Sequence, residues 1–447
     1  MNLSVVILAA GESKRLRSKR SKVLHPLAGK PIILYSVETA YSLSGKPAVL
    51  VVGHGEGQVR AALGDQVFYV RQEQRLGTGH AVLVAREALD GKSEAVLVCY
   101  GDMPLLKPET LAALVRLYDE KRPALTMLTA ISQDSMGFGH VVRDAAGRVL
   151  EVVEEAVATP EQLAIPELNC GVYCFDADWL WRNLPLLTPS PKGEYYLTDM
   201  VGLATKQGLR AEAVVTDDIA EVLGINNRVQ LAQAEAIMRR RINERLMLAG
   251  VTLVNPEATY VDCGVTVGED TTILPNTYLW GETSIGSDCI IGPDTVLRGC
   301  QVGSGCNIAS SYVEDASIEA GCTVGPYARI RGGSVLREGA HMGSFGELKS
   351  STLGPGAKMG HFSYVGDATV GAGSNIGAGA VTCNFDGVAK YRTDIGEGAF
   401  IGSGSMLVAP LKVGDGAVIG AGSVVTRDVP AGALVYGVPA RGHERRG

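Results

Sequence analysis

Apolar residues follow two rhythms along this 447-residue chain, and the change falls near residue 250. Before it, short apolar runs at 5–10, 48–52, 67–70 and 95–100 alternate with amphipathic helical patterns at 31–41 and 76–89. Runs of that length read as buried strands. Their alternation with helices predicts a largely parallel, doubly wound, Rossmann-like α/β sheet. Residues 228–249 hold neither glycine nor proline, and Leu231, Ala234, Met238, Ile242 and Leu246 recur at steps of three and four. That stripe predicts one long helix, with Asn227 and Gln230 as a capping box and Gly250 at its end.

The second rhythm is a beat of six. Val267, Ile273, Leu279, Ile285, Ile291 and Leu297 keep it, as do Ile395, Ile401, Leu407, Val413, Ile419 and Val425. Between these runs the spacing is five or six, through Val302, Ile308, Val324, Ile330, Met359, Val365 and Ile376. Such a beat predicts hexapeptide repeats, in which a short strand and a corner recur and three of them close one coil around inward aliphatic side chains. Roughly ten coils fit into 251–430. In the known fold of this kind the parallel β-helix is left-handed, against the usual crossover rule; the beat itself does not show the hand. Between Val381 and Ile395 the rhythm breaks, and the Asn, Asp, Lys and Arg content of that excursion favours a site-forming loop. The expected division is a domain over 1–227, a linker helix over 228–250 and a β-helix domain over 251–447.

Composition narrows the function classes. A net charge of -7 argues against nucleic acid or an anionic membrane as partner, so cations for an anionic ligand must be concentrated locally. No apolar run reaches the length of a membrane span, and Met1-Asn2-Leu3-Ser4 leads directly into a strand without a secretion-signal pattern. The nine cysteines form no CxxC pair, and the close couple Cys170 and Cys174 falls in an apparent strand. Free thiols in a reducing cytoplasm fit this better than a zinc site.

Several segments carry candidate chemistry. Leu8-Ala9-Ala10-Gly11-Glu12-Ser13-Lys14-Arg15-Leu16 follows the first strand, where a glycine turn can aim N–H groups at phosphates, and Lys22 adds charge; a solvated basic loop is the plain alternative. Leu76-Gly77-Thr78-Gly79-His80-Ala81 opens a helix. Tyr100-Gly101-Asp102-Met103-Pro104 puts Asp102 at the carboxyl end of a strand, as a hard oxygen ligand for magnesium or simply a turn former. In the back half, Arg331, Lys349, His361, Tyr364 and Asn384 fall within a few coils of one another.

Together LAAG, KVLH, LGTGHA, YGDMP, GEYYLTD, GINNR and the hexapeptide half resemble the bacterial bifunctional N-acetylglucosamine-1-phosphate uridyltransferase / glucosamine-1-phosphate acetyltransferases, over essentially the whole chain. The resemblance implies acetylation of glucosamine-1-phosphate by acetyl-CoA in the back half. Uridylyl transfer from UTP to N-acetylglucosamine-1-phosphate follows in the front half, with Mg2+ and release of pyrophosphate. The product would be UDP-N-acetylglucosamine, a precursor for peptidoglycan and lipopolysaccharide. It further implies a cytoplasmic homotrimer whose acetyl-transfer sites lie between prisms.

Carried over by residue, the resemblance gives Arg15 and Lys22 to the phosphates. Leu8, Ala9, Ala10, Gly11, Gln72, Gly77 and Thr78 fall to the nucleotide, and Tyr100, Gly139, Glu154 and Asn169 to the sugar. Asp102 and Asn226 would bind the metal, although capping the long helix is the plain alternative for Asn226. In the back half His361 would be the base, Arg331, Lys349, Tyr364, Asn375 and Lys390 would surround the amino sugar, Asn384 would lie near the reacting amine, and Ser403 and Ala421 would face acetyl-CoA. A histidine suits acetyl transfer to an amine near neutral pH, and cations suit an acceptor that carries phosphate.

Some positions depart from the family pattern: Ser13 and Lys14 replace Gly-Thr, His140 replaces Arg, Phe385 replaces Tyr, and Gly437 stands where some members have Arg. Two other readings are a single-activity sugar nucleotidyltransferase with a regulatory or oligomerising β-helix, and a non-catalytic sugar-nucleotide binding protein. The constellation of His361, Lys349 and Asn384 counts against the first.

Overall fold

The computed structural model describes residues 1–11 and 14–443, without the Lys14 side chain. It divides into two compact units, Met1–Met238 and Arg239–Gly447.

In the first unit the apolar runs become strands: β1 (Leu3–Ala9), β2 (Val49–Val52), β3 (Phe68–Arg71) and β4 (Ala95–Tyr100). Five more follow, namely β5 (Leu125–Ile131), β6 (Gly139–Arg143), β7 (Val149–Val153), β8 (Glu167–Asp176) and β9 (Ala211–Thr216). Their order is β9-β5-β8-β4-β1-β2-β3, with β6 paired to β8 and β7 to β6. β1 runs parallel to both β2 and β4, whereas β8 runs antiparallel to β4 and β5. Continuous apolar runs are required because the sheet is covered on both faces. Val6 and Leu8 enter one buried cluster, and Leu3, Val5 and Ile7 enter the other.

Helix α1 (Ile32–Ser44) matches the first helical pattern. The second, expected over 76–89, is split into α2 (Thr78–Leu83) and α3 (Arg86–Leu89). The split occurs where backbone bonds tighten to three-residue steps: Ala85 N–H donates to Val82 O at 3.0 Å and Ala88 N–H to Ala85 O at 3.2 Å.

Helix α4 (Arg228–Leu248) is the long helix, with Ala234, Met238, Ile242 and Leu246 buried along one stripe. Asn227 Oδ1 accepts from the Gln230 N–H at 2.9 Å, as a cap should. The return arm differs from the expected box, because Gln230 Oε1 accepts from the Asn226 N–H at 2.8 Å and not from Asn227.

The second unit is a stack of rungs around three faces, opened by Thr252–Leu253, Thr259–Val261 and Thr266–Val267. Up to the closing hairpin, strands pair in parallel with the same position one coil on; Ile273 meets Ile291, Leu279 meets Leu297 and Ile285 meets Val302. The second face stacks 10 strands and the third 9. Beat residues such as Ile273, Leu279, Ile291 and Leu297 are wholly buried, and each such aliphatic contributes about 1.5–3 kcal/mol. An antiparallel hairpin, Leu434–Gly437 with Ala440–His443, closes the stack.

On the edge between first and second faces, every rung places a residue of left-handed backbone at the same position. These are Asn276, Asp294, Ser310, Tyr327, Phe345 and Phe362, followed by Gly379, Gly404 and Gly422. The three aromatic rings stack with centroids 5.2 and 5.0 Å apart. The excursion leaves the second face after Val381–Cys383 and rejoins the third at Thr393–Ile395, with Phe385 and Lys390 bridged antiparallel. All nine cysteines are unpaired. Among the described residues no helix is long and apolar enough to cross a membrane.

Candidate active sites

The first unit holds two adjoining cavities, of about 330 and 490 Å³, which share Thr78, Tyr100, Asp102 and Tyr196. The smaller is lined by Leu8, Ala9, Ala10 and Gly11 at the end of β1, by Lys22, by Gln72 after β3 and by Gly77. Arg15, Gly139, Glu154, Asn169 and Asn226 line the larger. Every residue expected in the front site thus meets at this one junction. Of the first turn, Glu12, Ser13 and the Lys14 side chain lie outside the described residues, so the Ser13 and Lys14 departure has no structural account.

Asp102 follows β4 and Asn226 precedes α4, yet both converge on one point. The Lys22 ammonium donates to Asp102 Oδ2 in a short ion pair, and to Asn226 Oδ1 at 3.1 Å. The plain alternative for Asn226 is thereby decided: Asn227 caps the helix, and the Asn226 oxygen is turned to a cation. A carboxylate and an amide oxygen aimed at a single positive centre form a hard-oxygen donor set that fits a magnesium ion.

Two glycines are dictated by this geometry. Gly77, at φ +96°, passes so close to Tyr195 that a Cβ would sit 2.5 Å from its carbonyl oxygen. Gly171, at φ +76° in the irregular stretch of β8, leaves room for the Tyr100 ring, which a Cβ would meet at 2.7 Å. Burial, with Asp102 and Glu154 nearby, pushes the Tyr100 phenol well above its ordinary value, so it stays a neutral donor. Glu154 Oε1 accepts from Thr198 Oγ at 2.8 Å. Asp199 beside it is raised, first by burial and then by the Glu154 charge. His140 is buried, and its Nδ1–H donates to Ile165 O at 2.8 Å.

The sequence alone gives Gly193-Glu194-Tyr195-Tyr196-Leu197-Thr198-Asp199 no role of its own. In the structure this segment supplies Tyr196 to both cavities and anchors the Leu76–Gly79 turn, since Gly79 N–H donates to Tyr195 O at 2.8 Å and Tyr195 N–H to Leu76 O at 2.8 Å.

In the second unit the candidates follow the rungs. Gly379 N–H donates to His361 O at 2.9 Å, Gly404 N–H to Ala378 O at 2.8 Å and Gly422 N–H to Ser403 O at 2.8 Å. His361, Ala378, Ser403 and Ala421 therefore succeed one another up the edge between the first and second faces. Arg331, Lys349 and Tyr364 belong to the second face, whereas Asn375 belongs to the first.

Lys349 is half-buried, and its ammonium is held below the ordinary lysine value by Lys390, with Arg331 adding to the repulsion. Arg331 also pairs with Glu347 at 3.1 Å. Three cations crowded together make a receptor for a phosphate. Asn384, from the excursion, is buried and donates through Nδ2 to Asp367 Oδ2 in a short bond. His361 precedes the second-face strand, and Lys349 ends the strand below it. Phe385, at the missing family hydroxyl, is exposed, and Gly437 pairs with Ala440 in the closing hairpin. Glu347 and Asp367 were not foreseen, since each acts only through its neighbours in the rungs.

Comparison with known proteins bears on both units. The MobA-like NTP transferase domain model matches residues 5–163, and the bacterial transferase hexapeptide model (six repeats) matches 264–299 and 392–427. The chain is similar to the bifunctional protein GlmU of Pelobacter propionicus, at 45% identity over 97% of this chain and 95% of that protein. It is 44% identical to the Brevibacillus brevis protein of the same name, over 97% of this chain and 94% of that one. A solved CMP:2-keto-3-deoxy-manno-octonic acid synthetase complexed with CTP matches at 18% identity and a TM-score of 0.43, over 54% of this chain and all of that one.

Proposed function

This chain belongs to the GlmU family of bifunctional enzymes, and from that premise we propose which residues carry each of its two transfers. The protein pairs a nucleotidyltransferase with a left-handed β-helix acyltransferase; it acetylates glucosamine-1-phosphate and couples the product to a uridylyl group to make UDP-N-acetylglucosamine.

We assign uridylyl transfer to residues 1–227, with 228–250 as the linker helix and 251–447 as the acetyltransferase. An oxygen of the N-acetylglucosamine-1-phosphate phosphate attacks the α-phosphorus of UTP, a new P–O bond forms and pyrophosphate leaves. Arg15 and Lys22 stabilise charge on the phosphates as it shifts. The turn of Leu8, Ala9, Ala10 and Gly11 approaches the nucleotide, Gln72, Gly77 and Thr78 read the base, and Tyr100, Gly139, Glu154 and Asn169 hold the sugar. Asp102 and Asn226 would hold Mg2+, which when bound screens the triphosphate and polarises its oxygens.

In the second unit the amine of glucosamine-1-phosphate attacks the thioester carbon of acetyl-CoA. His361 takes the amine proton, an N–C bond forms, the C–S bond breaks and the CoA thiol leaves. Arg331, Lys349 and Lys390 hold the phosphate, Tyr364 and Asn375 the sugar, Asn384 lies near the amine, and Ser403 and Ala421 border the CoA path. Because these groups occupy two faces and an edge of one prism, a second copy must complete the site, which supports a homotrimer. Nine unpaired cysteines support a cytoplasmic setting.

The convergence of Asp102 and Asn226 on one cation, where the two cavities meet, carries the assignment of the first site. The test is a pair of assays on one preparation. Magnesium-dependent pyrophosphate release from UTP should be lost in Asp102→Ala alone, and thiol release from acetyl-CoA with glucosamine-1-phosphate in His361→Ala alone. Loss of both activities in either variant would refute the division.

A further inference from the structure

His80 stands in Leu76-Gly77-Thr78-Gly79-His80-Ala81 and has no role in the assignments above. It touches Gln72, which follows β3 and is almost wholly buried at the wall of the smaller cavity. The Gln72 side-chain amide has two hydrogens, both on Nε2. One is donated to Gly77 O at 3.1 Å and the other to His80 Nδ1 at 3.1 Å. Since Nε2 can only donate, the imidazole accepts at Nδ1 and carries its proton on Nε2. With both hydrogens engaged inside the protein, Oε1 is the part of the amide left for a ligand.

A glutamine amide held by one bond can turn over and exchange its oxygen for its nitrogen. Two acceptors on the same nitrogen oppose that exchange. A uracil ring offers an N3–H donor between two carbonyls; cytosine offers a bare N3 lone pair beside an amino group. An oxygen held toward the base accepts from the first and repels the second.

We propose that His80 is a positioning residue for base choice: by accepting from Gln72 Nε2 it holds Oε1 toward the nucleotide, so the site takes a pyrimidine with N3–H and rejects cytosine. The inference rests on the reading of this unit as a uridylyltransferase and deepens it. Thymine carries the same N3–H, so the pair leaves the choice between UTP and dTTP to other groups.

The test compares kcat/KM for UTP, CTP and dTTP, with N-acetylglucosamine-1-phosphate and Mg2+, in the wild type and in His80→Leu, with His80→Ala in reserve should the leucine variant not fold. The UTP:CTP ratio should fall roughly tenfold or more, the size expected when a buried amide is free to mispair. The UTP:dTTP ratio should stay within about twofold, because that edge is the same in both bases. His80→Asn, which can return an oxygen acceptor near the Nδ1 position, should restore most of the UTP:CTP ratio. An unchanged UTP:CTP ratio in His80→Leu, or a UTP:dTTP ratio that falls in step with it, would overturn the inference while the uridylyltransferase reading stands. Wild-type protein that releases no pyrophosphate from UTP would overturn that reading and the inference with it.

Discussion

The two units gather their chemistry in opposite ways. In the first, turns at strand ends bring Leu8, Gln72, Asp102, Glu154 and Asn226 from distant parts of the chain to two adjoining cavities. In the second, a single rhythm places His361, Ser403 and Ala421 at one position in a stack, so the candidates run along an edge. Convergence gathers the front candidates within one chain; periodicity spreads the back candidates over two faces and an edge, so that under the proposed homotrimer each copy would hold only part of a site. The front reaction should therefore tolerate conditions that separate copies, and the back reaction should not.

The largest effects should break the comparison cleanly. His361→Ala is expected to lower thiol release from acetyl-CoA by roughly 10²–10⁴-fold with pyrophosphate release unchanged, measured by steady-state kinetics. Asp102→Ala should lower pyrophosphate release by roughly 10²–10³-fold and leave acetylation at wild-type rate. A rung defect should separate the units by stability. Ile401 is wholly buried, and Ile401→Ala should destabilise the second unit by about 2–5 kcal/mol, read by calorimetry as a shift in one transition of two.

Dilution gives a smaller and more telling effect. Acetylation per chain should fall in proportion to the dissociated fraction followed by sedimentation, while pyrophosphate release per chain stays flat.

The smallest effect concerns Lys349. Its ammonium is held below the ordinary lysine value, so the unfolded chain binds that proton more readily than the folded one. Its contribution to stability therefore rises as pH climbs from the lowered value toward about 10.4. Lys349→Met should flatten that rise in a thermal-melt series. Inorganic phosphate at neutral pH should raise the wild-type Tm more than that of the variant.

What could be read in advance follows from how strongly each position is constrained. The beat of six is legible because a slip by one residue would turn Ile285 or Leu297 outward. Asp102 is legible because it follows a strand that cannot be anything but buried. By contrast, nothing in the run around Cys170 and Cys174 tells the direction of β8, since buried strands of either sense look alike. The break between α2 and α3 is equally hidden, because Val84 and Ala85 suit an unbroken helix. Asn226 and Asn227 are interchangeable on paper; only the folded turn shows that the second caps α4 and the first faces Lys22. Asp367 escapes notice because its partner Asn384 lies a rung above it, beyond the reach of any local pattern.

The in-register stacking of rungs turns the second unit into a ruler. Each coil touches mainly the ones above and below, so a whole coil spliced in beneath Arg331 would lift the proposed acetylation residues together, whereas one spliced between Lys349 and His361 would part the proposed phosphate grip from the proposed base. Such a protein can lengthen over evolutionary time only at graduations that its chemistry leaves blank.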